Sequence, residues 1–196
     1  MKLVLYTYQT IDAVEKLKKD GVLRLYEKDR YLTHLTRYDD SDYNYFEYPY
    51  KYMIHEMKKR LPAPKDKDTF YPIWGWYKVN GRYRASKELD KIHEGLVKLK
   101  VEIDESRVLL SDFDVFAAVI SGRRILKEDD NTLDYDADNK FDPSLERMFE
   151  LHRKEDDYFG FSFRKETIQG TFWELFIEDV IEIIDPVFKN RSRKKA

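Results

Sequence analysis

A chain of 196 residues, 42% hydrophobic and 38% charged, is long enough to bury a core and too apolar to stay disordered. Its 36 Lys+Arg against 38 Asp+Glu leave a formal net charge of -2, so only a local patch can attract nucleic acid or an anionic membrane. The absence of cysteine excludes disulfide scaffolds, thiol catalysis and sulfur-ligated zinc; with no signal-peptide core and no apolar run near ~20 residues, a cytoplasmic location is expected.

The opening Leu3, Val4, Leu5 and Tyr6 read as a buried strand ending near Tyr8. Thr10 then suits an N-cap, Ile11, Val14 and Leu17 recur at helical spacing, and Gly21 supplies the stop, which predicts a helix over 11–20. Val22 to Tyr26 returns as an extended segment. The Asp-rich stretch Tyr38–Asp42 reads as a loop, and Tyr45, Tyr52, Met53, Glu56 and Met57 predict an amphipathic helix over 45–60. Pro62 to Asp68 is a breaker-rich connector. Phe70 to Val79 reads as a strand, with Pro72 at its start or on an edge, and Asn80-Gly81 turns it back toward Arg82 and Arg84.

Val97, Leu99, Val101 and Ile103 alternate with charged residues, the pattern of a half-buried strand. Val108 to Leu110 extends again, and Ser111 with Asp114 resembles a capping box that opens a helix over 112–121, closed by Gly122. Residues 128–142 form an acidic loop, followed by a helix over 144–156. Strands are predicted at 158–163, 167–177 and 180–184, before a basic flexible tail over 189–196. The expected fold class is α+β: one domain over 1–188 with a mostly antiparallel sheet and peripheral helices, the sheet being either a partly closed barrel or split.

Metal chemistry finds little support in these residues. Asp134, Asp136 and Asp138 sit at calcium-loop positions, but Asn139 replaces the required glycine and Leu145 the bidentate carboxylate, so a solvated loop is the better reading. The four histidines show no ligand spacing, and seven scattered glycines build no phosphate loop.

Aromatic usage is the informative departure, with Tyr 15, Phe 12 and Trp 3. Such rings either pack the core in place of Leu and Val or line a surface that grips another ring. Alternation from Tyr71 places Ile73, Gly75 and Tyr77 on one face and Trp74 and Trp76 on the other, with a notch at Gly75 that admits a flat ligand or a close-packed neighbour. In the late strand, Glu174 falls between Phe172 and Phe176, a placement that raises a carboxyl pKa unless a cation compensates. It is a candidate functional group, or else one half of a structural Glu–Arg or Glu–Lys pair.

The blocks Tyr6-Thr7-Tyr8-Gln9, Tyr71-Pro72-Ile73-Trp74, Leu110-Ser111-Asp112-Phe113-Asp114 and Gln169-Gly170-Thr171-Phe172-Trp173-Glu174-Leu175 resemble, in that order, an uncharacterised bacterial family, domain of unknown function 3841. More distantly, the order of strand, threonine, helix, aromatic strand and late glutamate is similar to ADP-ribosyltransferases. That resemblance implies NAD as co-substrate and a protein or nucleic-acid acceptor. Thr7 and Gln9 would hold the ribose or carboxamide, Tyr71 or Tyr77 would stack on nicotinamide, and Glu174 would be catalytic, stabilising the oxocarbenium charge. Thr7 stands where the superfamily usually has Arg or His. The competing expectation is a nucleic-acid or nucleotide-binding module, with Trp74 stacking a base and Lys78, Arg82 and Arg84 meeting phosphate, extended by Arg123, Arg124 and the tail. A non-catalytic interaction domain is the third.

Overall fold

The computed structural model describes residues 1–26, 40–69, 71–83, 87–120, 143–151 and 166–184. Expectations for Arg84, Arg123, Arg124, Gly122, the acidic loop 128–142, the strand 158–163 and the tail 189–196 fall outside them. In chain order the elements are β1 (Lys2–Gln9), α1 (Ile11–Asp20), β2 (Val22–Arg24), α2 (Asp40–Arg60), β3 (Ile73–Lys78), α3 (Lys87–Ile92) and β4 (Val97–Asp104). They continue with β5 (Leu109–Asp112), α4 (Phe113–Ile120), a 3-10 helix at Pro143–Phe149, β6 (Ile168–Phe172), β7 (Glu174–Phe176) and β8 (Val180–Ile184). The six-stranded sheet runs β5-β6-β3-β1-β4-β8, every pairing antiparallel, and β2 and β7 form a second sheet of two strands. Mixed α and β elements around an antiparallel sheet make this an α+β fold. The large sheet is open, with β5 and β8 at its edges, which leaves the split sheet and removes the barrel.

One face of the large sheet is the main core. Leu3, Leu5, Ile73, Leu99, Val101, Ile103 and Phe172 meet Val14 and Leu17 of α1 and Leu23 of β2 there. The helix is held at both ends by its sequence: Thr10 accepts a hydrogen bond from the Ala13 amide, and Gly21 takes the left-handed φ of 73° that closes it. Gly75 and Gly170 stand opposite each other on β3 and β6 and leave room for Leu5; a Cβ on Gly170 would lie 2.6 Å from Leu5 Cδ2. The notch expected at Gly75 is thus filled by a side chain of the same core. On the opposite face a second core joins Leu109, Trp173, Met53, Met57, Val115, Phe116, Leu145 and Met148 over the β5 side of the sheet.

Several boundaries differ from expectation for physical reasons. α2 begins at Asp40, because acidic positions suit the positive end of the helix dipole as well as a loop. The segment at Pro143–Phe149 is 3-10 and not α-helical, and its fully buried Leu145 and Met148 recur at the three-residue period of that helix. The predicted strand over 167–177 breaks at Trp173, which turns into the second core while Glu174 to Phe176 leave for the small sheet. β5 runs on to Asp112, so the N-cap is Asp112 and not Ser111: Asp112 Oδ1 accepts from the amides of Asp114 (2.9 Å) and Val115 (3.1 Å). α3 had no clear signal, since Leu89 is the one buried residue within it.

Candidate ligand-binding face of the sheet

Of the residues expected to form an NAD site, three lie at one end of the sheet. Gln9 ends β1, Ile73 begins β3 opposite Phe172 at the end of β6, and Tyr71 and Glu174 stand two residues beyond that pair. Tyr71 bridges Leu25, beside Arg24, which is paired with Glu174 across the small sheet. Tyr77 sits six residues along from Tyr71, roughly 20 Å in an extended strand, and meets Tyr83 edge to face. Burial, then the neighbouring Tyr83 hydroxyl, raises its phenol pKa.

The polar groups of this set are engaged internally. Thr7 is fully buried and donates its hydroxyl to the Trp74 carbonyl at 2.7 Å, while Gln9 Nε2 donates to Thr7 Oγ1 at 2.6 Å. Because the strand breaks at Trp173, Glu174 does not sit between Phe172 and Phe176 on one strand face. It is 9% exposed and accepts from Arg24 Nε at 2.6 Å. Burial works against the Arg24 charge, but the hydrogen bond and charge of Glu174 outweigh it and hold the guanidinium pKa above its ordinary value. Around this pair, Tyr26 donates to Asp66, Arg107 donates to both the Glu174 carbonyl and Asp179, and Lys65 and Arg107 each lie over the Phe176 ring.

The alternative set is dispersed. Trp74 is wedged between Tyr50 (5.3 Å) and Phe116 (5.2 Å), Lys78 is ion-paired with Glu166, and Arg82 is exposed beyond the Asn80-Gly81 turn. Both turn residues have positive φ, 49° and 75°, as a tight hairpin turn requires.

Sequence reasoning missed a row that crosses the whole sheet. Ser111, Gln169, Trp76, Tyr6, Lys100 and Glu182 stand opposite one another on successive strands from β5 to β8, with side chains on the face away from α1. Exposure rises along it. Ser111 (0%) and Gln169 (4%) are buried, Trp76, Tyr6 and Lys100 are half-buried, and Glu182 is exposed. Among the described residues, Ser111 Oγ and Gln169 Nε2 have no hydrogen-bond partner, and neither has Trp74 Nε1 on the same face. Trp76 meets Phe113 edge to face at 4.8 Å. The signal in the sequence was the aromatic alternation of β1 and β3, but the pairing of their even positions needs the register.

The next row carries an acid–base cluster. Tyr8 stacks on His93 with ring centroids 4.3 Å apart and donates to Asp90 Oδ1 at 2.7 Å; Lys98 Nζ donates to the same oxygen at 2.8 Å. Burial works against the Asp90 charge, yet the hydrogen bonds from Lys98 and Tyr8 prevail and hold its carboxyl below the usual range. Burial, then Asp90, pushes the Tyr8 phenol up. Among the described residues no group of three His, Asp or Glu side chains gathers to hold a metal, and no helix is long and apolar enough to cross a membrane.

The family profile described as Domain of unknown function (DUF3841) matches residues 4–140, well over half of the chain. The chain belongs to the DUF3841 family. No curated protein and no solved structure matches it. The DUF3841 match contains Tyr6, Trp76, Lys100 and Ser111, whereas Gln169, Glu174 and the rest of the late block lie beyond its end.

Proposed function

We propose that this domain binds a nucleotide on the face that carries Tyr6, Trp76 and Lys100. The observation that supports the reading is the row itself: two half-buried rings side by side, followed by an ammonium group that has no ion-pair partner among the described residues. Rings of this kind stack on a nucleobase with ~1–3 kcal/mol each, without regard to its sequence context. Trp76 and Lys100 are two strand spacings apart, roughly 10 Å, the reach from a base to its phosphate. A free nucleotide suits the face better than a strand of nucleic acid. Lys100, beside a Lys98 already held by Asp90, in a chain of net charge -2, supplies little attraction for a polyanion.

Calorimetric titration with adenosine, its monophosphate and NAD tests the proposal. Trp76→Ala and Tyr6→Ala should each weaken all three ligands, and Lys100→Ala only those with phosphate. Binding that ignores all three substitutions would refute it.

A second reading, NAD-dependent ADP-ribosyl transfer, is favoured by the shared end of Gln9, Tyr71 and Glu174. In it Thr7 and Gln9 hold the carboxamide, Tyr71 stacks, and ionised Glu174 stabilises the ribosyl cation. Tyr77 is too far along β3 to share that role with Tyr71. This reading requires Glu174 to exchange Arg24 for substrate, and it predicts that Glu174→Gln abolishes NAD turnover while the fold persists.

A further inference from the structure

We infer that Ser111 and Gln169 read the hydrogen-bonding edge of the ring bound at Trp76, and that they select a nucleobase with a ring carbonyl, as in a 6-oxopurine. The inference rests on the stacking reading above and deepens it.

A buried donor or acceptor without a partner forfeits its hydration and gains nothing in exchange, so such groups are few in folded proteins and each asks for a reason. Among the described residues, three such atoms are carried by strands on one face of one sheet, Ser111 Oγ, Gln169 Nε2 and Trp74 Nε1, with Trp173 Nε1 a fourth in the core packed on that face. Ser111 and Gln169 are direct cross-strand neighbours, Gln169 is the direct neighbour of Trp76, and Trp74 lies diagonally next to Gln169. The adjoining row on the same two strands holds Leu109 and Thr171, and the threonine hydroxyl is satisfied by the Leu109 carbonyl. The helix cap that Ser111 was expected to supply is made by Asp112, which leaves the Ser111 hydroxyl without a structural task.

The chemistry of the three groups sets the ligand. The amide nitrogen of Gln169 and the indole nitrogen of Trp74 only donate, and the Ser111 hydroxyl turns to donate or accept. They therefore match an edge that offers acceptors, such as a carbonyl oxygen next to an unprotonated ring nitrogen. An exocyclic amine facing Gln169 Nε2 or Trp74 Nε1 would set donor against donor. Trp76 and Phe113, both partly exposed, are the rings beside this buried end, and Lys100 lies at the open side for the phosphate.

The test uses the full chain, with inosine monophosphate and adenosine monophosphate as probes in calorimetric titration, and thermal melting of the unliganded protein. Wild type should bind inosine monophosphate at least about tenfold more tightly, the effect of leaving one buried donor unpaired. Ser111→Ala and Gln169→Leu should erase that preference and leave the unliganded melting temperature unchanged or higher. A residue that merely supports the fold would lower it. Equal affinity of wild type for the two probes, or a preference that survives both substitutions, would overturn the inference while leaving ring stacking intact. If neither probe binds, the stacking reading and this inference fall together.

Discussion

Tyr6 and Trp76 stand directly opposite each other on β1 and β3, and this pair sets the register between the two strands. Both side chains leave the core face, where Leu5 and Gly75 sit instead, and so face α1 from the wrong side to be packed by it. A half-buried phenol and indole at the centre of a sheet are the residues that a ring-shaped ligand would cover.

Replacing either ring should therefore separate binding from stability. Trp76→Ala loses the edge contact with Phe113, about 0.5–1.5 kcal/mol of folding stability. Nucleotide affinity should drop by ~1–3 kcal/mol. Thermal melting and titration of the same samples check both numbers.

The Arg24–Glu174 pair predicts a different signature. Substituting Glu174 by Leu leaves a largely buried guanidinium without its carboxylate and should cost about 2–4 kcal/mol, whereas the double variant Arg24→Met with Glu174→Leu should recover most of it. Urea unfolding of the four proteins gives the coupling energy. A coupling near zero would mean that the pair is not what holds β2 to β7.

Acid should weaken the fold in part through Asp90. Its folded pKa lies below the ordinary 3.8, so the native state takes up its proton later than the unfolded chain. That stabilisation is complete above the unfolded value and disappears as pH falls through the folded one. As pH falls below about 5 the melting temperature of wild type should drop more steeply than that of Asp90→Asn, and the two should converge only once pH has passed through the folded value.

Gly170 gives the sharpest packing test. A methyl group there meets Leu5 Cδ2 at 2.6 Å and Val108 Cγ1 at 2.7 Å, so Gly170→Ala should destabilise by about 1–3 kcal/mol. Combined with Leu5→Ala, the total loss measured by denaturant unfolding should be smaller than the sum of the two single losses.

Much of this architecture could be read from the residues. Alternation in Val97–Asp104, the Thr10 cap and Gly21 stop of α1, and the Asn80-Gly81 turn are local signals, and each element formed where its signal lay. What failed was non-local. A strand pattern over 167–177 does not reveal that Trp173 is drawn into a second core, and a Ser-x-x-Asp spacing does not reveal that the neighbouring Asp112 makes the better cap. The candidate site was legible as aromatic richness and as a Glu that needed a cation. Its partner Arg24, 150 residues away in the chain, and the row through Ser111, Gln169, Trp76, Tyr6 and Lys100 exist only once strands are paired.

The most direct measurement is a map of backbone amide shifts by nuclear magnetic resonance as inosine monophosphate is added to the isotope-labelled chain. Shifts should concentrate at Tyr6, Trp76, Lys100, Ser111 and Gln169. Shifts gathered instead around Gln9, Tyr71 and Glu174, or none at millimolar ligand, would contradict it.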